Sequence, residues 1–364
     1  MLLIVNAGSS SLKLAAFDRK LNEVAQARAE RIGAGGATSH VEALRQGLGE
    51  MGLSPADLRA AAHRVVHGGA GLTAPCRVSA AVEAEIAACA SLAPLHNPAN
   101  LSGIRALAEL APSLPQYASF DTAFHATNPA VATTYALPMA ERERGLRRYG
   151  FHGLSYAAIV RKVKEMQPDG LPKRLLVFHL GNGASACAIM NGASVATTMG
   201  YSPLDGLTMG TRGGSLDPAV VLDLAARHGV EGAARILNRE SGLLGLGGAA
   251  DMRSLRACGT AAAEFAIQHF AYSAIRHAGS LIAAMGGLDA MVFTGGIGEH
   301  DAETRAAILA GLGWAGVVFD TEANSRHETC LHKNGSPVAI WRVCADEERQ
   351  IAIEAMQVIA SEGS

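Results

Sequence analysis

No stretch of this chain approaches the roughly 20 apolar residues that a membrane-spanning helix requires. It has no long basic run, and its net charge is −2, so neither nucleic acid nor an anionic membrane is an expected partner. The six cysteines, Cys76, Cys89, Cys187, Cys258, Cys330 and Cys344, are widely spaced, and none sits in a CxxC pair. A chain of 364 residues, 49% of them apolar, needs no disulfide staples, so buried free thiols are expected. The start lacks the basic segment and apolar length of a signal peptide, which points to a soluble, cytoplasmic protein. Also missing are GxxxxGK[ST], which excludes a P-loop enzyme, the HRD and DFG of protein kinases, and HExxH. The densest basic patch, Arg142, Arg144, Arg147 and Arg148, is diluted by Glu141 and Glu143 and reads as a solvated helix face.

The length suggests about two domains, and 18% charged residues leave room for large cores. The first eighteen residues are the most informative. Leu2, Leu3, Ile4 and Val5 read as a buried strand, Asn6 to Ser11 as a polar Gly-Ser turn, and Leu12 to Phe17 as a returning strand carrying Lys13. Such a turn exposes backbone N–H groups and hydroxyls that suit phosphate oxygens. The pattern returns at 175–190, with Leu2 aligned to Leu175 and Gly8 to Gly181, an offset of 173 in both cases (175 − 2 and 181 − 8). A repeat spaced at half the chain implies two similar domains. The second copy continues through the hairpin signal Asn191-Gly192 into a third strand at 193–198. Helices are expected at 218–228, 232–239, 261–285, 302–312 and 347–362, with a third strand and glycine loop at 291–299. The polar segment 167–172 marks a boundary. Hairpins alternating with helices, in two copies, imply α/β domains with mixed sheets facing each other across a cleft.

Residues 181–186 match GxGxxG/A, but a strand and a turn follow where a dinucleotide site needs a helix, so the nicotinamide reading is set aside. Three glycine-rich loops after apolar strands instead suggest a phosphate cradle built from backbone N–H groups. Short clusters of His, Arg and Asp complete the picture: 63–67, 95–98, 120–125, 149–153 and 211–214. Arginine suits bidentate binding of a carboxylate or phosphoryl group. His63 and His67 are four apart, but Val65-Val66 reads as strand, which puts both on one face without any zinc. Any single histidine here reads as structural; the clustering beside Gly and aromatic residues singles out the group.

Residues 5–13 (VNAGSSSLK) resemble the N-terminal signature of the acetate kinase family, and 199–212 resemble its second signature. The runs 63–69, 120–125, 151–153 and 295–299 also match, in order, and the resemblance spans the whole chain. It implies an actin/sugar-kinase (ribonuclease H-like) fold: two duplicated α/β domains with ATP in the cleft. The expected division is 1–148, 149–345 and a C-terminal helix, 346–364, returning to the first domain. The implied reaction is reversible transfer of the ATP γ-phosphoryl group to acetate, giving acetyl phosphate and ADP, with Mg²⁺ (or Mn²⁺) required and a homodimer as the assembly.

Carried over by residue, Asn6 and Glu347 would hold the metal and Lys13 would reach the nucleotide phosphates. Arg64 and Arg212 would grip the carboxylate and the moving phosphoryl group. Asp121 would act beside the metal and nucleophile, in the position taken as proton acceptor, and His152 would stabilise the transition state. His179, Leu180, Gly181, Asn182 and Gly183, with Asp251, Met252 and Arg253, and with Gly296, Ile297, Gly298, Glu299 and His300, would line the nucleotide. Val66, Leu95, Phe151 and Pro203 would form the pocket for the acetate methyl. The chain departs from the family pattern in a shortened 31–64 segment and in Leu154, Gly213, Ser215 and His300. Two alternatives stand beside the acetate reading. One is a propionate kinase, since one methylene in an apolar pocket is worth only about 1–3 kcal/mol. The other is an actin- or chaperone-like ATPase switch, which would need the nucleotide loops but no acyl pocket.

Overall fold

Residues Leu2–Ala7 (β1) are buried along almost their whole length, as a strand covered on both faces must be. The computed structural model describes residues 1–94 and 96–363. From β1 the chain turns back through Ser11–Phe17 (β2) and again through Glu23–Glu30 (β3), both antiparallel, with Asn6 opposite Lys13. Ala60–Val65 (β4) lies parallel to β1 on its other side; beyond it come Gln116–Phe120 (β6), parallel, and the short edge strand Cys76–Arg77 (β5). The order is β3-β2-β1-β4-β6-β5.

The second sheet repeats this wiring. Arg174–Leu180 (β7), Ala184–Met190 (β8) and Ala193–Thr197 (β9) form the antiparallel meander, and Ala290–Thr294 (β10) and Ala339–Arg342 (β11) add in parallel on the other side, giving β11-β10-β7-β8-β9. The fold is therefore a duplicated α/β architecture of two mixed sheets flanked by helices.

Two compact units carry these sheets. One comprises Met1–Ala126, Phe151–Ala158 and the chain from Asp346; the other comprises Thr127–Gly150 and Ile159–Ala345. In the first unit, one face of the sheet (Leu3, Val5, Leu12, Leu14) packs on Leu44, Leu48 and Leu107 from helices His40–Glu50 and Asn97–Leu110. The opposite face (Leu2, Ile4, Ala15, Phe17) packs on Ile351, Ala352 and Ala355 of helix Glu347–Glu362. Each large aliphatic side chain buried this way contributes about 1.5–3 kcal/mol.

Several expectations need correction. The residues after β10 are no glycine loop: Gly295–His300 is a short helix. β4 stops at Val65, so Val66 and His67 lie beyond the strand, and both are buried. The helix in the arginine patch covers only Met139–Glu143, and Arg148 is not a solvated side chain: it pairs with Asp205 at 3.1 Å and donates to the Thr198 and Met199 carbonyls. All six cysteines are free, but Cys258, Cys330 and Cys344 are exposed and Cys76 is half-buried; only Cys89 and Cys187 are buried. The break expected between the helices at 218–228 and 232–239 is present: the backbone leaves helical geometry at Gly229 (φ 71°, ψ 167°), and the second piece runs into a π-helical turn, Ile236–Glu240.

Candidate active site

Arg64 is the penultimate residue of β4 and Asp121 follows β6, and these strands are parallel neighbours with Arg64 opposite Ser119. The two side chains therefore meet at the strand ends. Arg64 donates from Nε to Asp121 Oδ1 at 3.1 Å and from Nη2 to Oδ2 at 2.7 Å. Its Nη1 lies 3.8 Å from a Glu347 carboxylate oxygen, and Lys13 Nζ lies 2.6 Å from Glu348 Oε1. Burial works against the Arg64 charge, but the Asp121, Glu347 and Glu348 carboxylates outweigh it and hold the guanidinium protonated above its ordinary range. Burial likewise pushes the Asp121 carboxyl up, with Arg64 pulling it back.

The start of helix Asn97–Leu110 organises the backbone around these groups. The Asn100 side chain accepts from the Val66 amide at 3.0 Å and donates to the Ala7 carbonyl at 2.8 Å, tying the end of β4 to the end of β1. Asn97 accepts from the His67 amide at 3.0 Å and returns a bond to its carbonyl at 2.9 Å. Sequence reasoning noticed the 95–98 cluster but not these two clamps. Thr122 Oγ1 accepts from the Gly68 amide, and His40 donates to the Gly8 carbonyl in the first turn.

The histidines divide into two kinds. His63 is buried, donates to Gln116 Oε1 at 2.6 Å, and is pushed down to about 4 by burial. His125 is buried, donates to the Phe151 carbonyl at 2.9 Å, and is pushed down to about 4 for the same reason. These two are neutral and structural. His67 is also buried and sets its ring edge-on to Phe151, with centroids 5.4 Å apart. His152 is different: half-buried, it sits at φ 59°, a conformation that costs a non-glycine residue free energy and persists where the surrounding structure over-determines it. The next residue explains the geometry. The Gly153 amide donates to the Asp121 carbonyl at 2.9 Å, and a Cβ there would stand 2.2 Å from that oxygen. The apolar pocket residues Val66 and Phe151 are buried; Leu95 lies outside the described residues.

In the second unit, Arg212 Nη1 donates to the Pro203 carbonyl at 2.7 Å, and burial lowers its affinity for the proton. No carboxylate pairs with it among the described residues. Its loop is fixed by Gly242, at φ 63°, where a Cβ would stand 2.2 Å from the Met209 carbonyl and 2.6 Å from that of Arg212. His179 and Leu180 end β7. Gly181 bonds to Gly183, and the Asn182 carbonyl accepts from Gly210 at 3.0 Å.

A cavity of about 580 Å³ brings together Asp251, Met252 and Arg253, at the start of helix Met252–Cys258, with Gly296, Ile297 and His300. Arg256 also lines it and is held by Asp301 and Glu303 at 2.9 and 2.8 Å. Of the third nucleotide segment, Gly298 is buried, and Glu299 turns its carboxylate inward to accept from the Gly295 and Ala345 amides. Six of the expected nucleotide residues therefore share one hollow, and Glu299 instead pins the helix that carries three of them.

The profile of the family described as the Acetokinase family matches residues 35–353. An acetate kinase from Leifsonia xyli subsp. xyli is 43% identical over 393 aligned positions, covering 99% of each chain. The crystal structure of Porphyromonas gingivalis acetate kinase superposes with a TM-score of 0.90 at 34% identity, covering 98% of this chain and 99% of that one. A propionate kinase from Francisella tularensis superposes with a TM-score of 0.91 at 36% identity, covering 97% and 98%.

Proposed function

The chain belongs to the acetokinase family, and we propose that it transfers the γ-phosphoryl group of ATP to acetate, reversibly, giving acetyl phosphate and ADP. Phosphoryl transfer leaves little covalent work for a protein; catalysis is positioning and stabilisation of charge. Acetate is already an anionic nucleophile and needs no strong base. Asp121, buried and gripped by Arg64, accordingly orients rather than abstracts a proton.

The observation that carries this reading is the contrast between the two arginines. Arg64 is fully engaged with Asp121 and has Glu347 beside it. Arg212 is largely desolvated and held only by a neutral carbonyl, so its charge is left for an anion that the protein does not supply. Taken by itself, the first unit carries Arg64, His152 and the apolar side chains Val66 and Phe151, which suit a small carboxylate with a methyl group. Taken by itself, the second carries Arg212 and the hollow of Asp251, Arg253, Gly296 and His300, which suits a nucleotide.

The acidic groups fit magnesium. Asp121, Glu347 and Glu348 face two cations, Arg64 and Lys13, so carboxylate is in excess, and the donors are hard oxygens. Among the described residues no cluster of three or more His, Cys, Asp or Glu is placed to ligate a metal by itself. Glu347 and Asn6 would hold the ion together with water and nucleotide phosphates. It would supply charge neutralisation between the two anions.

We also propose a homodimer in the cytoplasm. Leu222 and Val230, on helix Pro218–Arg235, are 71% and 79% exposed, and Phe265 and Tyr272 are exposed as well, apolar area that a second copy would cover. Among the described residues no helix is long and apolar enough to cross a membrane.

The likeness to a propionate kinase favours one second reading, propionate as acceptor. Steady-state kinetics with acetate, propionate and butyrate separate the two. The expected result is a kcat/KM for acetate at least about tenfold above that for propionate, the worth of one methylene. A propionate preference would move the assignment to that alternative. ATP hydrolysis with no acyl phosphate from any of the three acids would overturn both.

A further inference from the structure

We propose that a second cavity, at the opposite end of the first sheet from Arg64 and Asp121, binds a monocarboxylate with an apolar body. The cavity measures about 470 Å³, within the range of small-molecule sites. Its wall is apolar: Leu2, Phe17, Ala60 and Tyr117 come from the sheet, and Met356 and Ile359 from helix Glu347–Glu362.

The charges at its rim are unbalanced. Arg19 and Arg59 both line it, and neither guanidinium has an ion pair or side-chain hydrogen bond among the described residues. The two carboxylates at the same rim are already committed. Asp18 accepts from the Lys20 and Asn22 amides at 2.8 Å each and from Asn22 Nδ2 at 3.0 Å. Asp57 accepts from the Ser54 amide and hydroxyl at 2.8 and 2.7 Å. These hydrogen bonds favour the charged form of both, lowering each carboxyl from its ordinary value. The Met1 ammonium, which also lines the cavity, donates to the Asp57 carbonyl at 2.7 Å beside the Asp57 carboxylate, so the arginines are the groups left to recognise a ligand, and guanidinium matches carboxylate in a two-pronged way. The apolar wall rejects a second charge deeper in the cavity, which selects one carboxylate at the mouth and an apolar remainder inside.

This site is separate from the proposed acetate site. β1, β4 and β6 are parallel; they start beside the cavity, with Leu2, Ala60 and Tyr117, and their far ends carry Asn6, Arg64 and, just beyond the strand, Asp121. Four strand steps from Ala60 to Arg64 make about 13 Å.

The test is calorimetric titration of octanoate into the full-length protein, with saturating acetate, Mg²⁺ and ADP present so that the acyl pocket is occupied. One octanoate per chain is expected, with affinity falling about tenfold or more in the R19A/R59A double variant and for 1-octanol, which keeps the tail and drops the charge. Met356→Trp, which fills the cavity, is expected to abolish the heat; its melting temperature checks that it folds. Turnover of R19A/R59A without octanoate is expected to be unchanged. No heat with the unaltered protein, heat that survives both R19A/R59A and Met356→Trp, or competition by acetate would each overturn the proposal.

Discussion

The Gly153 amide donates to the Asp121 carbonyl at 2.9 Å, and a methyl group on Gly153 would overlap that same oxygen. The backbone of one proposed catalytic segment therefore leans directly on the other, and His152 is aimed by that contact. Gly153→Ala would place a carbon 2.2 Å from the Asp121 oxygen and 2.8 Å from Phe124 Cβ, so one segment must move. A displacement of about 1 Å at a reacting group costs on the order of 100-fold in rate. The expected outcome is a fall of that size in kcat with ADP affinity retained, read by steady-state kinetics and ADP titration.

Arg64→Ala and Arg212→Ala should differ in stability and agree in activity. Removing Arg64 strands the buried Asp121 carboxylate, which costs about 3–5 kcal/mol. Removing Arg212 breaks one bond to a neutral carbonyl and costs about 1 kcal/mol. Both should lower turnover by about 10²-fold or more if their charge meets the moving phosphoryl group. Urea unfolding beside acetyl phosphate formation checks the pair of outcomes.

Asn100→Leu keeps the size of the side chain and deletes both of its bonds. The Ala7 carbonyl and Val66 amide would then be buried without partners, at about 1–3 kcal/mol each. The expected result is a destabilised protein whose KM for nucleotide changes less than its KM for acetate, because Val66 rather than the second unit is loosened. Denaturant midpoints and the two KM values measure this.

Stability should fall on acidification through a window set by His63 and His125. Both are held to about 4 in the folded chain, below the ordinary histidine value of 6.5. Between those pH values the unfolded chain takes up protons that the folded chain refuses, so stability drops as pH falls from 6.5 and is flat above it. At pH 4 the loss is about 3 kcal/mol for each histidine. Urea midpoints from pH 7.5 to pH 4 should trace this limb, and His125→Gln should flatten it.

Glu347→Ala should raise the magnesium concentration needed for half-maximal activity by about tenfold, as the loss of one carboxylate ligand would. An unchanged magnesium titration would remove Glu347 from the metal site and leave it as a partner of Arg64 alone.

How legible these features were in the sequence depended on the range of the interaction behind them. The turn between β1 and β2 was readable because its strands and loop are contiguous, and the 173-residue repeat showed that the second sheet would copy it. The segment 295–299 was misread as a loop because glycines suggest turns; the Glu299 carboxylate reaches back to the Gly295 amide and closes a helical turn there. Helix Ala80–Ala88 was not anticipated, since its alanines carry no apolar stripe to read. Helix Asn97–Leu110 was missed for the opposite reason: its buried asparagines look like surface residues until their backbone partners are known. The arginine, aspartate and histidine of the proposed site were visible as clusters, whereas the role of Gly153 was not. A close approach between residues 121 and 153 leaves no mark in local sequence.

Helix Glu347–Glu362 covers the face of the first sheet that bears Leu2, Ile4 and Phe17, although it is made long after those residues. During synthesis the opening sheet must therefore leave the ribosome with one greasy side bare. It waits for some 330 further residues (347 − 17) before its cover emerges. The second unit ends at Ala345, before that segment begins. Domains of a nascent chain usually fold from the N-terminal side, but here helix Glu347–Glu362 imposes the order, and a nascent chain truncated before residue 347 would be the species for chaperones to hold.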